Sequence, residues 1–411
     1  RLRYIMSRYD YTYYTCLINN HDSKHTPSTI EPALQFNEDR NYPIITNTAD
    51  YDMAITNFKL DTKTLPSFIP VIKYNASPTQ EQKFETIYEI TFTLRTNGKR
   101  FGHTEPVIFK PQDLSLSVPD FKNGYADYKS GFYNIYNYEN FFTSVNEALR
   151  QCLMGLRDTI NAAFPDMNNG HYFEENFSNN LVDLFPVPYF IFDKDSSLAY
   201  VNAPVLYFGS DMKIQINLNT PLYRLFDSLP FDFHETTYIN NSNETVVVKL
   251  FKMNLENFFN SNIVSLYPKH LYDQGITPTT KKVDHYIVYQ DYETLTSWSP
   301  VESIVLTSNT LPIKPSIVSQ NHSYVEGKET TEGSTNIIDM ELSDFRAGNC
   351  KPGIIFEPKN LRWINMLDMD ELKHINFQVF YRLKVDGGLI PLKINSGGNF
   401  GLKLCFRKLK K

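Results

Sequence analysis

Cysteine is nearly absent from this sequence: Cys16, Cys152, Cys350 and Cys405 are the only four in 411 residues. No CxxC pair or closely spaced set occurs, so a disulfide framework is not expected and buried free thiols are. Glycine is also scarce, 17 residues or about 4% against an average near 7%. A basic excess is missing as well. Lys+Arg 40 against Asp+Glu 46 leave a formal net charge of −6, which excludes wholesale wrapping of a polyanion but not a local basic contact. No apolar run approaches the ~20 residues that span a bilayer. The first residues carry Arg1, Arg3 and Arg8 with no apolar stretch between them, so neither a membrane span nor a signal peptide is expected. The chain begins at Arg1 rather than Met, which implies that a few preceding residues are missing.

The signatures of catalysis are missing too. GxSxG, GxxxxGK[ST], HExxH and a helix-opening GxGxxG do not occur, and the nine histidines lie beside no nucleophile motif. His21 and His25 with Cys16 upstream lack the second close pair of ligands that a structural zinc requires. Asp193, Asp195 and Ser197 start like a calcium loop. Leu198 stands where the sixth-position glycine belongs and Pro204 where the twelfth-position glutamate belongs, so a hairpin turn is the better reading. Asp368, Asp370 and Glu371 form an acidic cluster without a partner histidine, which reads as a solvated loop or helix start. No catalytic residue, metal ligand or cofactor is therefore assigned, and the chain is expected not to be an enzyme.

What the chain does have is rings and period-two alternation. Tyr 27, Phe 30 and Trp 2 make it 14% aromatic. Such residues suit pleated, half-buried surfaces, and sheets packed face to face would hide them. Phe84, Thr86, Tyr88, Ile90, Phe92 and Leu94 occupy alternate positions before the hairpin-type turn Asn97-Gly98. Ile375, Phe377, Val379, Tyr381 and Leu383 alternate likewise, and the last ~35 residues read as a three-stranded meander. Further strands are expected at 53–60, 189–192, 199–202, 213–218, 245–253, 285–289 and 301–307. One helix is expected over 138–164, where Phe141, Phe142, Val145, Leu149, Cys152, Leu156 and Ile160 keep helical spacing and Pro165 follows. A shorter helical turn fits 222–229 between Pro221 and Pro230. The polar stretch 307–339 reads as a long loop or arm.

Two groups are candidate contacts. Arg407, Lys408, Lys410 and Lys411 could meet a nucleic acid or an acidic neighbouring subunit, or serve as a solubilising tail. Tyr133, Tyr136 and Tyr138 could form a surface for stacking on sugar rings, or belong to the core.

The order of these segments resembles structural proteins of icosahedral DNA viruses of the Polinton-like and adintovirus type. The resemblance rests on Tyr13–Ser23, on Tyr51–Phe58 with Pro66 and Pro70, and on Gly131–Ile135 leading into Phe141–Leu149. It continues at Trp298–Ser308, Leu311-Pro312 and Phe406-Arg407-Lys408. It implies a mainly β, antiparallel jelly-roll sandwich of two β-units, with one long sheet-covering helix around 138–164. The expected units are 1–235, carrying the helix, and 236–411, carrying the arm, with the break near Pro230 and the Asn-rich stretch after it. The resemblance also implies a capsid subunit that self-assembles into an icosahedral shell. Its partners would be copies of itself, as trimer or pentamer, other capsid proteins, and weakly the packaged genome. The place would be the virion, assembled in the host cytoplasm or nucleus. The alternative is a β-sandwich protein that binds a receptor or carbohydrate.

Overall fold

The structure, a computed structural model, describes residues 10–19, 34–75, 79, 82–121, 126–165, 187–208, 214–253, 263–266, 283–313, 337–341, 353–367, 370–384, 387–394 and 398–409. The chain divides into two compact units, one made of Arg1–Pro66 with Ser299–Lys411 and the other of Ser67–Trp298. The second is therefore inserted into the first.

The first unit opens with β1 (Tyr11–Asn19), β2 (Gln35–Asp39) and β3 (Tyr51–Asp61). The insertion carries β4 (Glu85–Thr96), β5 (Lys99–Ile108), β6 (Tyr189–Asp193), β7 (Leu198–Pro204), β8 (Ile214–Leu218), β9 (Phe231–Ile239), β10 (Thr245–Met253), β11 (Ile263–Leu266) and β12 (Val283–Tyr289). Its helices among the described residues are α1 (Tyr138–Ala163), α2 (Thr220–Leu225) and the single turn α3 (Leu295–Trp298). The first unit then resumes with β13 (Val301–Thr307), β14 (Ile337–Glu341), β15 (Gly353–Phe356), β16 (Ile364–Asn365), β17 (His374–Leu383), β18 (Leu389–Pro391) and β19 (Asn399–Lys408).

In the first unit the strands form two antiparallel sheets. One runs β1-β19-β3-β15, with β16 also on β3; the other runs β14-β13-β17-β18, with β2 also on β17. Two five-stranded antiparallel sheets, between which the chain passes from β1 to β2, β2 to β3, β14 to β15, β16 to β17 and β18 to β19, constitute a jelly roll. Alternation explains the core. Phe400, Leu402, Leu404 and Phe406 of β19 and Ile375, Phe377, Val379 and Tyr381 of β17 are all buried, while Lys403 and Gln378 between them are exposed. Phe58 and Phe400 meet edge to face at 5.4 Å, and Phe36 stacks on Phe377 at 6.0 Å. The expected C-terminal meander is corrected: β17 pairs with β18, but β19 lies in the opposite sheet between β1 and β3. Alternation identifies a buried face and not the strand's partner.

The insertion holds a closed barrel, β10-β8-β4-β5-β9, and a four-stranded sheet, β11-β12-β7-β6. The β4–β5 hairpin turns at Asn97 (φ 48°) and Gly98 (φ 74°), both left-handed as the two-residue turn requires. The long helix forms where its periodicity placed it. The Asn137 side chain accepts from the Glu139 amide at 3.0 Å and caps it, and its apolar stripe packs on β5, β4 and β6. Gly155 lets α1 approach β5 closely, since a Cβ there would lie 2.3 Å from the His103 ring. The short helical turn is α2, capped by Asn219.

Two expectations about domains change. The boundary at 235/236 falls inside β9, a barrel strand. Pro230 merely precedes that strand, and the Asn-rich stretch is the β9–β10 turn, where Asn243 is left-handed (φ 58°) and the Asn240 amide donates to the Glu244 carbonyl at 3.0 Å. The helix thus belongs to an insertion rather than to an N-terminal sandwich. Of the expected arm 307–339, residues 314–336 lie outside the described residues, and 337–341 form β14, paired with β13.

Candidate assembly surface

The expected surface tyrosines are corrected by burial. Tyr133 has no exposed area and Tyr138 is buried; Tyr136 is half-buried. Tyr133 sits among Phe132 (5.1 Å), Phe109 (5.4 Å) and Tyr128 (5.9 Å), and its hydroxyl donates to the Lys83 carbonyl at 3.3 Å. Burial pushes that hydroxyl up to about 12, with Tyr128 adding to the effect. Tyr138 packs against Phe192 (5.6 Å) and Trp298 (5.7 Å) and donates to the Leu295 carbonyl at 3.4 Å. The physical reason is the turn at Gly131 (φ 77°) and the helix start at Tyr138, which fold this run back onto the insertion's core. These rings form no sugar platform.

The basic C-terminus is partly occupied. Arg407 Nη2 lies 2.7 Å from the Oδ2 of Asp52, a residue only 4% exposed, and its guanidinium sits 4.1 Å over the Trp363 ring. Arg407 is thus tied to its own sheet. Lys408 is exposed at the end of β19, and its amide donates to the Asp10 carbonyl at 3.1 Å. Lys410 and Lys411 lie outside the described residues.

Among the described residues the remaining chemical candidates form no site. His21, His25 and Asp368 lie outside the described residues. Glu371 pairs with Lys373, and Asp193 accepts from the Asp195 amide (3.1 Å) and the Ser196 hydroxyl (2.6 Å). Those bonds close the β6–β7 turn and hold the Asp193 carboxyl below the usual range. Among the described residues no cluster of three metal-ligating side chains exists, and no helix is long and apolar enough to cross a membrane. Cys16, Cys152 and Cys405 are buried free thiols, and burial pushes Cys16 up to about 12.

What sequence reading did not single out is the outer face of the sheet β1-β19-β3-β15. Registers align Tyr13 with Cys405, and Leu17 with Gly401, Lys59 and Ile355. Ala54, Cys405 and Gly401 keep the middle of this face low, while Tyr13 (58%), Leu17 (69%) and Ile355 (65%) stand exposed around it. Lys403 lies 5.0 Å over the Tyr13 ring. The signal was present in the sequence: Tyr11, Tyr13 and Leu17 alternate with Tyr14 and Cys16, so apolar residues occupy both faces of β1. Tyr13, Leu17 and Ile355, exposed among Thr15, Lys59 and Lys403, mark this face as a candidate contact surface.

A jelly roll with a large insertion, and Tyr13, Leu17 and Ile355 exposed on one sheet face, is the frame against which known proteins are compared, and the class they give is that of capsid subunits. The chain belongs to the Sputnik minor capsid protein V18/19 family, whose model matches residues 12–408. It is a virion structural protein, a capsid subunit and not an enzyme. Among solved structures it is similar to a chain of the Sputnik virophage determined by cryo-EM, with TM-score 0.67 and 21% identity over 97% of this chain and 98% of that one. It is also similar to the crystal structure of the SeMet-labelled mavirus penton protein, with TM-score 0.52 and 16% identity over 97% of this chain and 100% of that one. Among curated proteins no sequence match is found.

Proposed function

We propose that the protein is a minor capsid subunit that assembles with copies of itself into a pentamer and, with other capsid proteins, completes an icosahedral shell. The observation that carries this reading is the jelly roll with Tyr13, Leu17 and Ile355 exposed on one sheet face, in a chain of the minor capsid family. The likeness to a penton protein supports five-fold association in particular. The finer likeness to Polinton-like and adintovirus capsid subunits fits the same reading, as does assembly in the host cytoplasm or nucleus.

Genome contact is a secondary part of the proposal. With Arg407 held by Asp52, it falls to Lys408 and to the final pair, Lys410 and Lys411, and so is weak and salt-sensitive. The receptor- or carbohydrate-binding alternative loses its motivation with the burial of Tyr133 and Tyr138. Purified protein, followed by light scattering and electron microscopy across concentration and salt, is expected to form ring-shaped oligomers. A strictly monomeric species under every condition overturns the reading.

A further inference from the structure

The two ends of the sheet β1-β19-β3-β15 differ from the ends of its partner sheet. Among the described residues β1 pairs only with β19 and β15 only with β3, so each is an edge strand. Edge strands are normally blunted by charge, proline or a bulge, because their open backbone groups template pairing with another chain. The second sheet follows this rule at both ends. β2 carries Glu38 and Asp39, β18 ends in Pro391, and β14 carries Asp339 and Glu341.

The first sheet breaks the rule most plainly at β1. β1, Tyr-Thr-Tyr-Tyr-Thr-Cys-Leu-Ile-Asn, has no charge, proline or glycine, and its register with β19 runs unbroken from Tyr11↔Arg407 to Asn19↔Asn399. β15, Gly-Ile-Ile-Phe, is uncharged along its four residues, with Pro352 before it and Glu357-Pro358 after it, so the open ladder there is short. The two edges share one outward row, in which Leu17 and Ile355 are the exposed ends and Gly401 and Lys59 lie between them.

We propose that β1 of one copy pairs with β15 of a second copy, head to tail, so that this sheet continues from subunit to subunit. The contact joins two different patches and is heterologous, the type that closes into a ring when the rotation between subunits permits. Main-chain hydrogen bonds along the new ladder give affinity, and Leu17 against the neighbour's Ile355 gives register. The inference rests on the self-assembly reading above and adds which edges meet.

Leu17→Lys and Ile355→Lys each place a charge on one edge at a solvent-exposed position, so the subunit keeps its fold; circular dichroism and the thermal midpoint verify this. Native mass spectrometry and sedimentation are then expected to show each variant alone as a monomer, its self-association weakened at least tenfold. Mixed one to one, they are expected to form dimers and nothing larger, because the intact β1 of Ile355→Lys meets the intact β15 of Leu17→Lys. Hydrogen exchange of the wild-type oligomer is expected to show β1 amides more protected than in the monomeric variants. If either folded variant assembles as wild type, or the mixture stays monomeric, the head-to-tail pairing is overturned while the capsid reading stands. If wild type itself never associates, the capsid assembly reading fails first.

Discussion

Arg407 shows how one side chain is withdrawn from a role that its position at a basic terminus suggests. Its partner Asp52 is buried, its guanidinium is about a quarter exposed, and Trp363 covers it. Asp52→Ala removes the carboxylate 2.7 Å from that partly covered charge. After discounting for solvent screening, the expected loss is about 1–3 kcal/mol, read as a lower urea midpoint at unchanged slope. The buried tyrosines set a second expectation. Tyr88 and Tyr133 are both pushed up to about 12 by burial from an ordinary value of 10.0. Their folded values lie above the unfolded one, so their contribution to stability is complete below pH ~10 and is lost as pH rises through ~12. Denaturation midpoints measured from neutral to alkaline pH should hold and then fall within that window, with tyrosinate absorbance appearing alongside unfolding. Full titration of all tyrosines near pH 10 in an intact fold would contradict this. These residues also mark what one sequence reveals. The sequence shows that Tyr133 and Tyr138 are aromatic and close together. Their burial depends on a left-handed Gly131 and on chain segments distant in sequence.

Among the elements, α1 is the clearest product of local rules, since its stripe, its Asn137 cap and the following Pro165 all stand in the sequence. Asn137→Ala removes the acceptor of the Glu139 amide and should cost about 1 kcal/mol, seen as a lower thermal midpoint of the insertion. β17 was legible because its period-two alternation is strict, and β4 because its apolar residues alternate with polar ones in the sequence although Ile90 to Leu94 are all buried. β13 is different. It is buried at Val301 and from Ser303 to Thr307, and its residues therefore carry little alternation to read. β19 was legible as a strand but not as the strand between β1 and β3, because its partners lie more than 300 residues away in the chain. Partner choice is a long-range property set by the whole core.

At the scale of the molecule, the apolar rings divide between two cores that share no strand. The segment Ser67–Trp298 contains its barrel, its second sheet and the helix that packs on them, so expressed alone it is expected to unfold in one cooperative transition. A sloping, non-cooperative melt of that fragment would count against its independence. The nesting also imposes an order in time. β1 and β3 leave the ribosome early, yet β19, which must lie between them, is made last. At ~5–20 residues per second the wait is on the order of tens of seconds, during which the insertion has time to fold first. For that interval the nascent chain displays two unpaired apolar strands. In an infected cell making many copies at once, the early strands of one chain are exposed to those of its neighbours, and chaperone capacity rather than final stability then sets the yield of usable subunits.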